Sequence, residues 1–149
     1  MKIIVSKDGP YLVSGNIPLR VQVITPNSDG FSWEWKDGET FQAGKEYNLC
    51  RCGQSRNKPF CDNSHLRIGF RDPGNVSLAS GGAQGAPGTL RVLPRENGPF
   101  LVEGAFTLVS GDSATSVDCA ARTAFCRCGQ SRNKPFCDGS HAQSGFTAP

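Results

Sequence analysis

The stretch Cys50-Arg51-Cys52-Gly53-Gln54-Ser55-Arg56-Asn57-Lys58-Pro59-Phe60-Cys61-Asp62-Asn63-Ser64-His65 decides the reading of this chain, because it occurs twice. It returns 76 positions later, at residues 126–141, and Gly139 in place of Asn63 is the single change. A Gly-Phe pair follows each copy at the same distance, Gly69-Phe70 and Gly145-Phe146. Upstream, Gly9-Pro10-Tyr11-Leu12-Val13 matches Gly98-Pro99-Phe100-Leu101-Val102 at a spacing of 89. The mismatch between the two spacings places an insertion within residues 26–45 of the first copy. The chain is a tandem duplication, with repeats at 1–71 and 89–149 joined by a linker at 72–88 that is rich in Gly, Ala, Ser and Pro. Like sequences fold alike, so two similar modules packed on one another are expected.

Composition bounds what such modules do. The chain has 149 residues with 18 Gly and 10 Pro, and it lacks long amphipathic runs, which excludes a helical bundle. Halves of this size are marginal alone and need a metal, a disulfide or a partner to hold a core. No apolar stretch approaches the length of a spanning helix, and the start turns polar too early for a secretory signal, so a cytoplasmic protein (or one of an organelle matrix) without membrane contact is expected. A net charge of +3 without long basic runs argues against nucleic-acid binding. Short apolar or β-branched runs at 2–5, 11–14, 19–24, 47–49, 89–93, 100–102, 106–109 and 123–125 predict strands. Within the insertion, 31–35 alternates and Asp37-Gly38 is a turn signal, which predicts a hairpin closing the first core, or else a tryptophan flap over a site. Helix is expected only after each third cysteine, where Asp62 and Asp138 are placed to cap a short helix.

Seven cysteines in a chain expected to be cytoplasmic point to metal chemistry before disulfides. Each copy offers C-x-C, eight residues, then C-x-x-x-H: Cys50, Cys52, Cys61 and His65, then Cys126, Cys128, Cys137 and His141. The chain has two histidines, and both fall at this position. Structural zinc sites take three Cys and one His, but usually from C-x₂₋₄-C knuckles. In an extended C-x-C the two thiols point the same way and suit one iron of a [2Fe–2S] cluster. The third cysteine and the histidine then suit the other iron, an arrangement between all-cysteine and Rieske ligation. Iron–sulfur is the favoured reading, with a zinc-bound structural or interaction module as the alternative.

The pattern C-x-C-x-x-[ST]-x-x-x-P-x-C-D-G-[STA]-H, met fully by residues 126–141 and with one departure at Asn63 by residues 50–65, resembles that of the CDGSH iron–sulfur domain proteins, the mitoNEET-like or NEET family. The resemblance implies two [2Fe–2S] clusters, one per motif, each held by three cysteines and one histidine. It implies a mostly β fold with short helices, in which a β-rich cap stands beside a cluster-binding region. Two motifs in one chain imply an intramolecular pseudo-dimer that works as a monomer. The expected role is one-electron transfer, cluster storage and transfer, or both, toward an unnamed redox protein or an apo-acceptor of clusters. A protonatable imidazole ligand further implies pH-dependent potential and lability.

The remaining residues of the motif have their own readings. Arg51, Arg56, Lys58, Arg127, Arg132 and Lys134 are cations placed either beside the clusters, favouring reduction, or on solvated loops. Ser55 and Ser131 are donors to the site or to a loop carbonyl, and Pro59 and Pro135 stiffen the approach to the third cysteine. Cys119, opposite Ala43 of the first repeat, reads as a small buried or loop thiol. Without a Gly-rich nucleotide loop, a nucleophile elbow or an uncommitted histidine, no enzyme is expected.

Overall fold

The computed structural model describes residues 1–30, 33–76, 89–120 and 122–149. Ten strands make up nearly all of its regular structure: β1 (Lys2–Val5), β2 (Tyr11–Ser14), β3 (Leu19–Pro26), β4 (Trp33–Phe41), β5 (Glu46–Leu49), β6 (Arg91–Pro94), β7 (Phe100–Glu103), β8 (Phe106–Val109), β9 (Ser116–Cys119) and β10 (Thr123–Phe125). One α-helix, α1 (Ser64–Ile68), and one 3₁₀ turn, Ser140–Ala142, follow the two third cysteines as expected.

The strands form two five-stranded sheets, and each sheet draws on both repeats. One runs β5-β2-β1-β8-β9 and the other β10-β7-β6-β3-β4. Within a repeat the neighbours are antiparallel, as in Ile3↔Val13 of β1 and β2 and Val92↔Val102 of β6 and β7. Between repeats they are parallel: Ile3↔Leu108 joins β1 to β8, and Leu19↔Val92 joins β6 to β3. Three strands of one repeat are thus completed by two of the other, twice, around a pseudo-two-fold axis. The alternation that marks β1, β2 and β8 as half-buried strands puts their apolar faces into one shared core. Ile3, Val5, Tyr11, Leu19 and Leu49 pack there with Val92, Phe100, Phe106, Leu108 and Phe125. That pooling answers the size problem, since neither half buries enough apolar surface for itself.

Two expectations need correction. Asp37-Gly38 is no turn: both residues lie inside β4, where the register slips between Arg20↔Thr40 and Gln22↔Asp37. Gly38 stands at that bulge because a Cβ there would lie 2.7 Å from a methyl of Val21. β3 continues past Ile24 and turns at 27–30, where the Gly30 N–H donates to the Asn27 carbonyl at 3.0 Å and Gly30 has φ +73°. Nor does this hairpin close the first core, for β4 is exposed along its length except at Phe41, which is half-buried at the sheet edge. Residues 31–32 of the expected alternating run lie outside the described residues, as do residues 77–88 of the linker. Residues 72–76 belong to the packed body: the Asp72 carbonyl accepts from the Asp8 N–H at 2.8 Å, and Val76 is buried in the core.

Candidate metal centres

Each ligand loop is the continuation of an edge strand. Past β5, the Cys50 N–H donates to the Pro59 carbonyl at 2.8 Å and the Cys61 N–H to the Asn48 carbonyl at 2.9 Å. Past β10, Cys126 and Pro135 make the same bond at 2.7 Å, and Cys137 and Ala124 at 2.9 Å. These bonds fold the loop back on its strand and bring the third cysteine toward the C-x-C pair although eight residues lie between Cys52 and Cys61. Inside the loop the Ser55 hydroxyl donates to the Phe60 carbonyl at 2.6 Å and accepts from the Asn57 N–H at 3.0 Å. Ser131 does the same with Phe136 and Asn133. Both hydroxyls therefore serve the loop, while the serine backbone N–H groups face the Cys50 and Cys126 sulfurs.

The helix N-cap is Asn63, one residue later than expected and without a side-chain bond of its own, and the aspartate before it, Asp62, ties the loop together. It accepts from the Ser64 N–H at 3.0 Å, and its other oxygen accepts from the Arg56 N–H at 2.9 Å, pinning the two ends of the loop together. Asp138 repeats this with Ser140 and Arg132. These donors hold both carboxyls well below the usual carboxylate range, the Ser64 and Ser140 side chains foremost. The residue between the aspartate and the serine must take a left-handed backbone, and Asn63 (φ 68°) and Gly139 (φ 87°) both do.

The eight expected ligands stand as four close pairs, two in each loop, and among the described residues no three of them gather around a single-metal position. Cys50 and Cys52 sulfurs are 3.8 Å apart, and the Cys61 sulfur is 3.5 Å from Nδ1 of His65. In the second loop the Cys126–Cys128 and Cys137–His141 distances are 3.9 and 3.5 Å. The C-x-C cysteines are buried, whereas Cys61, His65, Cys137 and His141 are half-buried. Backbone N–H groups of Gln54 and Asn63 point at the sulfurs of Cys52 and Cys61, at 3.5 and 3.4 Å, with Gln130 and Gly139 in the same places opposite Cys128 and Cys137. The C-x-C thiols share a proton. The bond from Cys52 brings Cys50 down to about 6 while holding Cys52 itself up, and in the second loop Cys128 comes down to about 6 while Cys126 is held up. Each pair gives up its first proton readily, as a metal-binding pair must.

The cations are not where a shell around the ligands would put them. Arg51 and Arg127 are the largest fully buried side chains of the protein and point into the cap. Lys58 and Lys134 donate to the Ser55 and Ser131 carbonyls at 2.9 and 2.7 Å. Cys119 is buried in β9, and burial pushes its thiol up, as fits a packing residue.

Several residues that complete the sites escaped the sequence reading. Tyr11 of β2 crosses to the other repeat, and its hydroxyl donates to the carbonyls of Cys126 at 2.6 Å and Pro135 at 3.0 Å. Burial keeps that phenol protonated. Gly53 (φ +82°) and Gly129 (φ +80°) face one another across the pseudo-two-fold axis: a Cβ on Gly53 would collide with the Cys128 carbonyl, and one on Gly129 with the Cys52 carbonyl. The two sites are therefore in backbone contact through their C-x-C-G turns. The one signal available beforehand was the repeat itself, in which Tyr11 aligns with Phe100 and both glycines recur.

Among the described residues no helix is long and apolar enough to cross a membrane. No solved structure matches the chain. One curated relative, the CDGSH iron-sulfur domain-containing protein 3, mitochondrial, of Mus musculus, is 62% identical over 24 residues, which is 16% of this chain and 18% of that protein. The family profile described as iron-binding zinc finger, CDGSH type, matches residues 8–66 and 97–142, together more than two thirds of the chain. With one match on each ligand loop, the chain belongs to the CDGSH iron–sulfur-binding family and is a tandem member of it.

Proposed function

We propose that the chain holds two [2Fe–2S] clusters, the first on Cys50, Cys52, Cys61 and His65 and the second on Cys126, Cys128, Cys137 and His141. The division of each site into two donor pairs carries this reading. Two sulfurs about 2.3 Å from one tetrahedral metal lie about 3.8 Å apart, and a sulfur and an imidazole nitrogen on one metal lie about 3.5 Å apart. The pairs of this chain stand at 3.8 and 3.9 Å and at 3.5 Å in both loops. A binuclear cluster asks for two such pairs, one on each iron. When bound, such a cluster supplies one-electron chemistry.

The chain's own residues define how the site is approached. The buried C-x-C side, backed by the cap, is closed to solvent, and the half-buried cysteine–histidine side faces outward. A partner therefore meets Cys61 and His65, or Cys137 and His141. The role that fits is exchange at this edge, of single electrons with a redox protein or of whole clusters with an apo-acceptor. The chain works as a monomer, since each repeat already supplies the partner strands that the other lacks. No residue pair suited to acid–base catalysis enters this reading, and no enzymatic role is proposed.

Freshly purified protein should be red-brown, with about four irons and four acid-labile sulfides per chain. Colourless protein loaded with zinc would replace this reading with a structural zinc module, since zinc has no such visible bands. Passage of clusters to an apo-ferredoxin separates the two exchange roles, and its failure leaves electron transfer.

A further inference from the structure

The two ligand loops share a sequence, but the surfaces at their open edges differ. After His65 the chain runs Leu66-Arg67-Ile68, and at the same place after His141 it runs Ala142-Gln143-Ser144. Leu66 is 74% exposed and Ile68 47%, and Arg67 between them is exposed as well. The helix α1 has five residues, so at about 1.5 Å per residue all of it lies within about 8 Å of His65 along its axis. Single apolar residues on a surface need no reason. Two beside a candidate ligand at one edge, with none at its twin, mark a surface that meets something.

The charges differ in the same sense. Residues 7–9 and 96–98 occupy matching places, for Asp8 accepts from the Asp72 N–H at 2.7 Å and Asn97 from the Ala148 N–H at 2.9 Å. Gly9 stands against the first site, where a Cβ on it would lie 3.7 Å from Nε2 of His65. Alignment of the repeats sets Lys7 against Glu96 and Asp8 against Asn97. It also sets Arg67 against Gln143 and Arg71 against Thr147, whereas Arg56 and Arg132 are alike. At these matched positions the first edge carries four cations against Asp8 and Asp62, and the second carries Arg132 against Glu96 and Asp138. One edge is positive and apolar, and the other is polar with a slight negative excess.

Building on the cluster reading above, we propose that the edge formed by Leu66, Arg67 and Ile68 with Arg56 and Lys7 docks a protein partner whose own face is acidic around an apolar centre. The partner then meets this chain at Cys61 and His65, and the Cys137–His141 edge lacks that docking surface. Specific interfaces combine a desolvated apolar centre with a polar rim. Opposite charges at the rim speed encounter and fix orientation. Leu66 and Ile68 supply the centre here, and the cations supply the rim. A basic partner would face like charge at this edge and find no apolar centre at the other.

Calorimetric titration of the cluster-loaded chain with an acidic plant-type ferredoxin tests this. One ferredoxin should bind per chain, and binding should weaken roughly tenfold as ionic strength rises from about 0.01 M to about 0.15 M, where screening shortens the reach of the charges. Leu66→Ala combined with Arg67→Gln and Ile68→Ser gives the first edge the residues of the second, and it should weaken binding about tenfold. Should that triple variant fail to fold, a matched pair of single changes serves. Arg56→Gln should cost about threefold, and Arg132→Gln, at the same position of the other loop, less than about twofold. Equal losses from Arg56→Gln and Arg132→Gln overturn the proposal, as do absent or salt-independent binding and a triple variant that binds as before. Attachment to vesicles of anionic lipid with the ferredoxin left unbound overturns it too. So does self-association of the chain through this edge in sedimentation. Protein without acid-labile sulfide fails the cluster reading before any ferredoxin is added, so the two failures are distinct.

Discussion

Loops 50–65 and 126–141 differ in one residue and agree within 0.1 Å in their donor-pair distances, yet the side chains around them diverge. Tyr11 reaches the second loop, whereas its counterpart Phe100 has no hydroxyl to offer the first. Asp72 pairs with one buried arginine, while the other, Arg127, donates to the Arg95 carbonyl and to an oxygen of Pro149. After the ligands, Ser64–Ile68 forms α1 and leaves Leu66 exposed, while Ser140–Ala142 makes one 3₁₀ turn. The comparison teaches that ligand geometry in this protein is a property of the loop, repeated with the loop, while the surroundings are a property of the cap and are free to differ. Equal donor sets do not make equal sites.

The largest test of that division is at the axis. Gly53→Ala and Gly129→Ala each force a side chain onto the opposite repeat's backbone from a left-handed conformation, which should cost about 3 kcal/mol or more. Because each glycine abuts the other loop, either variant should lose metal from both sites, as iron assays and the thermal midpoint would show. Damage confined to the mutated loop would mean that the sites are independent. Tyr11→Phe comes next. It takes the hydroxyl donor from the buried Cys126 carbonyl, while the Pro135 carbonyl keeps the Cys126 N–H, at a cost of about 1–3 kcal/mol, and should loosen the second site before the first. Denaturant midpoints with site-resolved metal retention check this, and equal loss from both sites would remove the asymmetry assigned to Tyr11.

A pH series sharpens the part of the comparison that should be symmetric. Asp62 and Asp138 titrate below their unfolded range in the folded chain, so their contribution is complete above about pH 4 and fades as pH falls further. Asp62→Asn and Asp138→Asn should lower the thermal midpoint at neutral pH by similar amounts, and the gap to the unsubstituted protein should narrow in stronger acid. Unequal losses would show that the loops are not equivalent after all. The smallest effect belongs to Asn63→Gly, which makes the loops identical. Asparagine already tolerates the left-handed turn, so stability should change by less than about 0.5 kcal/mol in denaturant titrations.

What the chain determined locally was legible in its residues. The duplication and the close pairing of the candidate donors were legible from spacing, because each involves neighbours that the backbone holds in place whatever the rest does. The helix starts, by contrast, fall at Asn63 and Gly139, one residue past the aspartates expected to cap them. Most of the strands were equally visible as short alternating runs, although β9 was not, and the turn of the inserted hairpin was misplaced from Asp37-Gly38. An isolated Asp-Gly pair marks a bulge as readily as a turn, and only the pairing partner distinguishes them. The tertiary structure alone decided which strand lies beside which. Period-two alternation says that a strand has a buried face but not whose face covers it, so the exchange of β3–β4 and β8–β9 between repeats left no local trace. The same exchange carries Tyr11 to the opposite loop, brings Gly53 against Cys128, and turns Arg51 and Arg127 inward, away from the shell that sequence proximity suggested. Those contacts join residues dozens of positions apart, and they form because two half-size modules bury enough apolar surface only by sharing one core.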